Sequence, residues 1–230
     1  LESIETPYFT RREMAALSMT ETEWLDKICA NCAEAGIKFN QRLLYSFHTA
    51  LKTADWSPIT VLAGVSGTGK SLLPEYYCRF GGIYFMSMAV QPDWDSPQSL
   101  FGYFNSVDNR FNATTLIRAM VQFSHASKQV AKESNLSDSM FIVLLDEMNL
   151  AHVELYFRRN SDDEIDVEID LGAGMPKYPL ELNDNILWVG TMNEDETTKS
   201  LSDKVLDRGN LLSFPRPKEF VSRAKANSVE

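Results

Sequence analysis

A chain of 230 residues, 44% of them hydrophobic, holds enough apolar material for one large α/β domain with appendages, and no low-complexity tract argues for disorder. Its formal net charge of −10 excludes wholesale, non-specific nucleic-acid binding while leaving room for a local basic channel. No run approaches the roughly eighteen consecutive apolar residues of a membrane span, and the first residues lack a signal-peptide pattern, so a cytoplasmic protein with no membrane partner is expected.

The chain starts at Leu1 rather than Met and reads as a fragment. Residues 1–56 are expected to form an N-terminal arm followed by a helical prefix. The arm, before about residue 20, shows no period. Thr20-Glu21-Thr22-Glu23 then has capping-box spacing, and Trp24, Ile28, Cys32 and Ala35 recur near the helical period up to Gly36. Asn40 is placed to cap a second helix whose apolar stripe is Leu43, Leu44, Phe47, Ala50 and Leu51. His48 reads as structural. Cys29 and Cys32 have redox-motif spacing but lie inside a helical pattern without a second pair, so they read as thiols on one helix face. With Cys78 they make three cysteines, a number suited to a reducing compartment.

Residues 57–217 hold the main domain. The apolar run Ile59-Thr60-Val61-Leu62-Ala63 predicts a buried strand, and Gly64-Val65-Ser66-Gly67-Thr68-Gly69-Lys70-Ser71 follows it. That stretch fits Gly, four residues, Gly-Lys-Ser/Thr, a loop whose backbone N–H groups wrap phosphate oxygens, with the helix predicted from about Lys70 setting its N-terminus under them. Lys70 would carry charge to the β- and γ-phosphates, and Ser71 would offer its hydroxyl to Mg²⁺. A second buried strand is predicted at 83–88. The polar loop after it runs into a short helix near Pro97, and Asn112 or Thr114 is placed to cap a longer helix carrying Leu116, Met120, Phe123 and Val130.

Met140-Phe141-Ile142-Val143-Leu144-Leu145 reads as a strand buried on both faces, ending in Asp146-Glu147. Acidic residues at the carboxyl end of a central parallel strand sit where α/β sheets bind ligands. Asp146 is the candidate to hold Mg²⁺ through water, and Glu147 the candidate base that orients and deprotonates the attacking water. A helix is predicted from Asn149 to Phe157, and the abrupt join at 157–161 suggests missing residues. Residues 164–171 alternate apolar and acidic, predicting a half-buried strand, and 178–182 is its candidate hairpin partner; together they form a hairpin insertion at about 164–182. Ile186-Leu187-Trp188-Val189-Gly190-Thr191-Met192 predicts another buried strand ending at Asn193, whose side chain would lie beside Asp146 and Glu147 if those strands are neighbours. A helical run at 200–206 leads to Asp207-Arg208-Gly209, and a last short strand is expected at 211–214.

These motifs, in this order, resemble the AAA+ ATPases: Walker A at 64–71, Walker B at 141–147, sensor 1 at Asn193 and an arginine finger at Arg208. Leu145-Asp146-Glu147-Met148-Asn149-Leu150-Ala151 with Gly190-Thr191-Met192-Asn193 is similar to the McrB-type branch, and Leu206-Asp207-Arg208 with Pro215 to the related MoxR branch. The resemblance covers about residues 40–217. It implies a P-loop NTPase three-layer α/β fold with a central parallel sheet in the order 5-1-4-3-2, and assembly into a hexameric ring in which Arg208 completes a neighbour's site. It also implies a helical lid, of which residues 218–230 would be only the start. The lone Arg208 departs from the paired arginines common in McrB relatives.

The implied catalytic residues are Glu147, Asn193 and Arg208. Nucleotide would be held by Gly64, Val65, Ser66, Gly67, Thr68, Gly69, Lys70, Ser71 and Leu72, with Mg²⁺ on Ser71 and Asp146. The expected activity is hydrolysis of ATP, with GTP as the alternative, driving remodelling or translocation in a McrB-like restriction or defence system. A nuclease or effector partner, and DNA reached through domains absent from this chain, are the expected associations. A nucleotide-gated scaffold without turnover is the competing reading, and a kinase would need an acceptor pocket that the sequence does not display.

Overall fold

The structure, a computed structural model, describes residues 2–13, 18–94, 97–124, 133–150, 166–169, 178–181, 184–194 and 209–215. In chain order the elements are α1 (Glu2–Glu5), α2 (Glu21–Glu34), α3 (Gln41–Lys52), β1 (Ile59–Gly64), α4 (Leu72–Gly81), β2 (Tyr84–Ala89), α5 (Pro97–Phe101), β3 (Gly102–Asn105), β4 (Arg110–Ala113), α6 (Thr115–Phe123), β5 (Phe141–Asp146), a 3-10 turn (Met148–Leu150), β6 (Asp166–Ile169), β7 (Tyr178–Glu181), β8 (Ile186–Asn193) and β9 (Gly209–Ser213).

Strands β2, β5, β8, β1 and β9, in that spatial order, form one five-stranded sheet, and every neighbouring pair is parallel. Side chains alternate across a strand, so each apolar run feeds two cores. On one face Ile59, Val61, Tyr84, Met86, Phe141, Val143, Leu145, Ile186 and Trp188 pack with Leu116, Ile117 and Met120 of α6. On the other, Leu62, Ile142, Leu144, Leu187 and Val189 pack with Leu25 and Ile28 of α2, Leu44 and Phe47 of α3, and Leu73 and Tyr77 of α4. The result is a mixed α/β sandwich with helices on both faces of a parallel sheet.

The helical prefix is therefore one wall of the sandwich. The predicted capping box is present: Thr20 Oγ1 accepts from Glu23 N, and a Glu23 carboxylate oxygen accepts from Thr20 N at 2.7 Å. Asn40 caps α3 by accepting from Arg42 N at 2.9 Å. Of the cysteines, Cys32 and Cys78 are buried and Cys29 half-buried, all three as free thiols. Burial pushes the thiols of Cys29, Cys32 and, most of all, Cys78 upward, so they stay protonated and inert.

Two regions differ from the expectation. The N-terminal arm, which shows no period, contributes to the other core. Ile4 is fully buried, and the Phe9 ring lies edge-on to Tyr84, Phe141 and Phe123 at 5.2, 5.4 and 6.0 Å. Gln122, buried on α6, holds the arm by accepting from both Tyr8 N and Phe9 N at 2.7 Å and donating to Phe9 O at 3.0 Å. One side-chain amide does the work of a paired strand, and no local periodicity announces that. The short helix expected near Pro97 forms as α5, and the second difference follows it: the antiparallel hairpin β3–β4, in a stretch to which the sequence assigns no element. Its strands are short. Its turn carries Asn109 at φ 50, a left-handed conformation that asparagine tolerates. Thr114 caps α6, accepting from Ile117 N at 3.4 Å, and α6 stops at Phe123; Val130 lies outside the described residues.

The hairpin insertion forms where it is expected, Asp166–Ile169 pairing antiparallel with Tyr178–Glu181. After Glu147 the described chain makes a 3-10 turn over Met148–Leu150, and the remainder of the predicted helix, the 157–161 join, the 200–206 run and the 218–230 lid segment lie outside the described residues. Among the described residues no helix is long and apolar enough to cross a membrane.

The α2–α3 contact is tied by charge. Glu21 accepts from Lys52 Nζ at 2.8 Å and pairs with His48 Nε2, whose Nδ1 lies 2.7 Å from Tyr77 Oη. Hydrogen bonds from Lys52 and then His48 hold the Glu21 carboxyl down from the ordinary 4.5 to about 2. A folded pKa below the unfolded one gives stability that is complete above about pH 4.5 and lost as the pH falls toward 2. Urea midpoints at pH 7 and pH 3 should therefore drop further for wild type than for Glu21→Gln, by a small margin because the pair is exposed. An identical pH dependence in the two proteins would contradict the assignment.

Gly190 sits under the turn after Glu147: a Cβ there would come within 2.0 Å of Sδ of Met148, which is fully buried. Gly190→Ala should cost about 1–3 kcal/mol of stability through overpacking, read as a lower thermal midpoint. An unchanged midpoint would show that the turn does not rest on β8.

Candidate functional site

Three adjacent strands bring the site together. β8 lies between β5 and β1, with Gly64 registered opposite Asn193 and Leu145 opposite Gly190. The carboxyl ends of all three strands, Asp146, Asn193 and Gly64, therefore open on the same edge of the sheet, the edge where open α/β sheets place ligands.

The 64–71 loop leaves β1 and turns into α4. Gly67 and Gly69 have φ of 77° and 88°, a left-handed geometry that glycine adopts readily because it has no Cβ. Thr68 Oγ1 closes the loop by donating to Val65 O at 2.8 Å. Lys70 is buried, and its ammonium donates to Gly64 O at 2.9 Å and Val65 O at 2.8 Å, folding the side chain back under its own loop. Ser66 and Gly67 at the tip are exposed, as is Leu72, the first residue of α4.

At the end of β5, Asp146 Oδ1 accepts from Ser71 Oγ at 2.7 Å and from Thr191 Oγ1 at 2.5 Å. Thr191 Oγ1 accepts in turn from Glu147 N at 2.9 Å. Glu147 is exposed and has φ 56, left-handed for a residue that is not glycine. Asn193 Nδ2 donates to Glu147 Oε1 at 3.3 Å. The predicted residues Lys70, Ser71, Asp146, Glu147 and Asn193 are thus gathered at one sheet edge. Arg208 lies outside the described residues. Thr191 is the member that sequence reasoning passed over; the one mark it leaves in the sequence is a hydroxyl inside the apolar run 186–192, and the structure shows it buried.

The donor set suits a hard divalent cation. Ser71 Oγ and Asp146 Oδ1 already meet at hydrogen-bond distance, and both are oxygen ligands of the kind such a cation takes. Mg²⁺ held by one or two protein oxygens and by substrate oxygens has that pattern.

No protein-family profile matches the chain, and no curated protein matches it. Among solved structures, a crystal structure of a "putative ATPase" from Cytophaga hutchinsonii is similar at 19% sequence identity and a TM-score of 0.46, over 90% of this chain and 57% of that one. The present chain thus spans a little over half of that protein's length. Likeness at this depth does not carry function from one protein to the other.

Proposed function

We propose that this chain is the nucleotide-binding module of a Mg²⁺-dependent nucleoside triphosphatase of the AAA+ class, with ATP as its substrate. The observation that carries the reading is the convergence of the 64–71 loop, Ser71, Asp146, Glu147 and Asn193 on one edge of a parallel sheet. A glycine loop followed by a helix N-terminus binds phosphate in many proteins. A loop whose serine already touches a strand-end aspartate, with a glutamate and an asparagine paired beside it, has the further parts that hydrolysis needs. The strand order counted over the five sheet strands, 5-1-4-3-2, supports the same class.

In this reading the loop N–H groups wrap the phosphates, and Lys70 leaves the carbonyls of Gly64 and Val65 to meet their charge. Ser71 and Asp146 would hold Mg²⁺, which would supply neutralisation of phosphate charge when bound. Glu147 accepts a proton from the attacking water, and Asn193 fixes the Glu147 carboxylate while reaching the γ-phosphate. Arg208 would act on a neighbour's site in a ring, a contribution that reaches about 10³–10⁵ in rate for arginine fingers. Remodelling or translocation in a McrB-like defence system, with nuclease or DNA partners, is the wider role that the sequence resemblance suggests.

Phosphate release measured with ATP and GTP side by side tests the core of this. Wild type should turn over ATP faster than GTP, Lys70→Ala should lose turnover with both, and Glu147→Gln should lose about 10²–10⁴-fold while still binding nucleotide. Equal rates for wild type and Glu147→Gln would overturn the base assignment, and nucleotide-dependent assembly without any phosphate release would favour a scaffold. Mixing Arg208→Ala with Lys70→Ala subunits should partly recover hydrolysis, since some interfaces then pair an intact loop with an intact arginine. Rings of the expected mass without recovery would overturn the finger in trans.

A further inference from the structure

Thr191 has 2% of its surface exposed on β8, a central strand where a valine would have the same shape and no hydroxyl to desolvate. Both functions of that hydroxyl are spent at the site. It donates to Asp146 Oδ1 at 2.5 Å and accepts from Glu147 N at 2.9 Å, so it bridges the two consecutive residues with the most different tasks. Asp146 faces Ser71, and Glu147 faces Asn193.

The second of those bonds matters because of the backbone it holds. Glu147 is exposed, so little packing fixes its side chain, and its direction is set by the backbone beneath. That backbone is at φ 56, a region that glutamate seldom occupies and that persists only where neighbours over-determine it. Its neighbours are few and identifiable. Thr191 Oγ1 takes its N–H, Leu150 N donates to its carbonyl at 3.0 Å, and Met148, the next residue, packs into the space left by Gly190. Were Glu147 to relax to negative φ, its carboxylate would swing away from Asn193.

We infer that Thr191 is the positioning residue of this site, its single hydroxyl fixing the Asp146 carboxylate for the cation and locking Glu147 in the left-handed conformation that aims its carboxylate along Asn193. The inference rests on the proposed phosphohydrolase reading for its consequence in rate, and on the geometry alone for its consequence in structure. Thr191 touches no reacting atom; it acts through its two neighbours on β5 and the turn after it.

The test uses the whole chain as wild type, Thr191→Val and Thr191→Ser, with two readouts. In nucleotide-free protein, amide hydrogen exchange at Glu147 should quicken by about an order of magnitude in Thr191→Val, the worth of one hydrogen bond, and stay slow in Thr191→Ser. With Mg²⁺ and ATP, phosphate release by Thr191→Val should fall about 10–100-fold, the loss usual when a partner orienting a ligand is removed. Its ATP affinity measured without Mg²⁺ should be unchanged, and Thr191→Ser should restore the rate. Unchanged Glu147 exchange in Thr191→Val, or a Thr191→Ser protein as impaired as Thr191→Val, overturns the inference. A wild type that exchanges as expected but releases no phosphate would instead sink the hydrolase reading and leave the lock standing.

Discussion

The carboxylate of Asp146 is the junction on which the site depends. One of its oxygens receives two hydroxyl hydrogen bonds, from Ser71 at the start of α4 and from Thr191 on β8. Those bonds join β5 to its neighbour β8 and to the loop that leaves β1, so three strand ends are fixed relative to one another by one charged group. Hydrogen bonds to an ionised acceptor are about twice as strong as those between neutral groups, and a partly buried setting preserves them from competition with water. The rest of the architecture can be understood as holding this junction in place.

It is held from both faces. On one, α2, α3 and α4 pack on Leu62, Ile142, Leu144, Leu187 and Val189; on the other, α6 and the arm pack on Val61, Val143, Leu145 and Trp188. Because the central strands are buried on both sides, their register cannot slip by one residue without driving an apolar set into the wrong layer. That fixed register is what puts Asn193 opposite Gly64 and Gly190 opposite Leu145, and so brings an asparagine to the glutamate that follows Asp146. Lys70 is turned inward onto the carbonyls of Gly64 and Val65, which satisfies its buried charge.

The parts most legible in the sequence were those with a period or a spacing. Continuous apolar runs marked β1, β5 and β8, the capping box marked α2, and the glycine and lysine spacing marked the loop between β1 and α4. Asp146, Glu147 and Asn193 could be placed at strand ends because the strands themselves were readable. What escaped depended on distant partners. The arm has no period because Gln122 binds its backbone and Phe9 fills an aromatic cluster, and neither relation is local. The β3–β4 hairpin has strands too short to show alternation, and its turn residue Asn109 is only a weak marker. Thr191 stood in plain view within an apolar run, but its role exists only once β5 and β8 are neighbours.

In the proposed function, the 64–71 loop and the strand ends behind it form one site for a nucleoside triphosphate with Mg²⁺. Calorimetric titration of Mg²⁺–ATP into the wild-type chain and into Lys70→Ala addresses it directly. One site per wild-type chain is expected and, for Lys70→Ala, an affinity lower by about tenfold or more, since a buried charge-assisted contact to phosphate is removed. Equal affinities in the two proteins, or no binding to either, would contradict it.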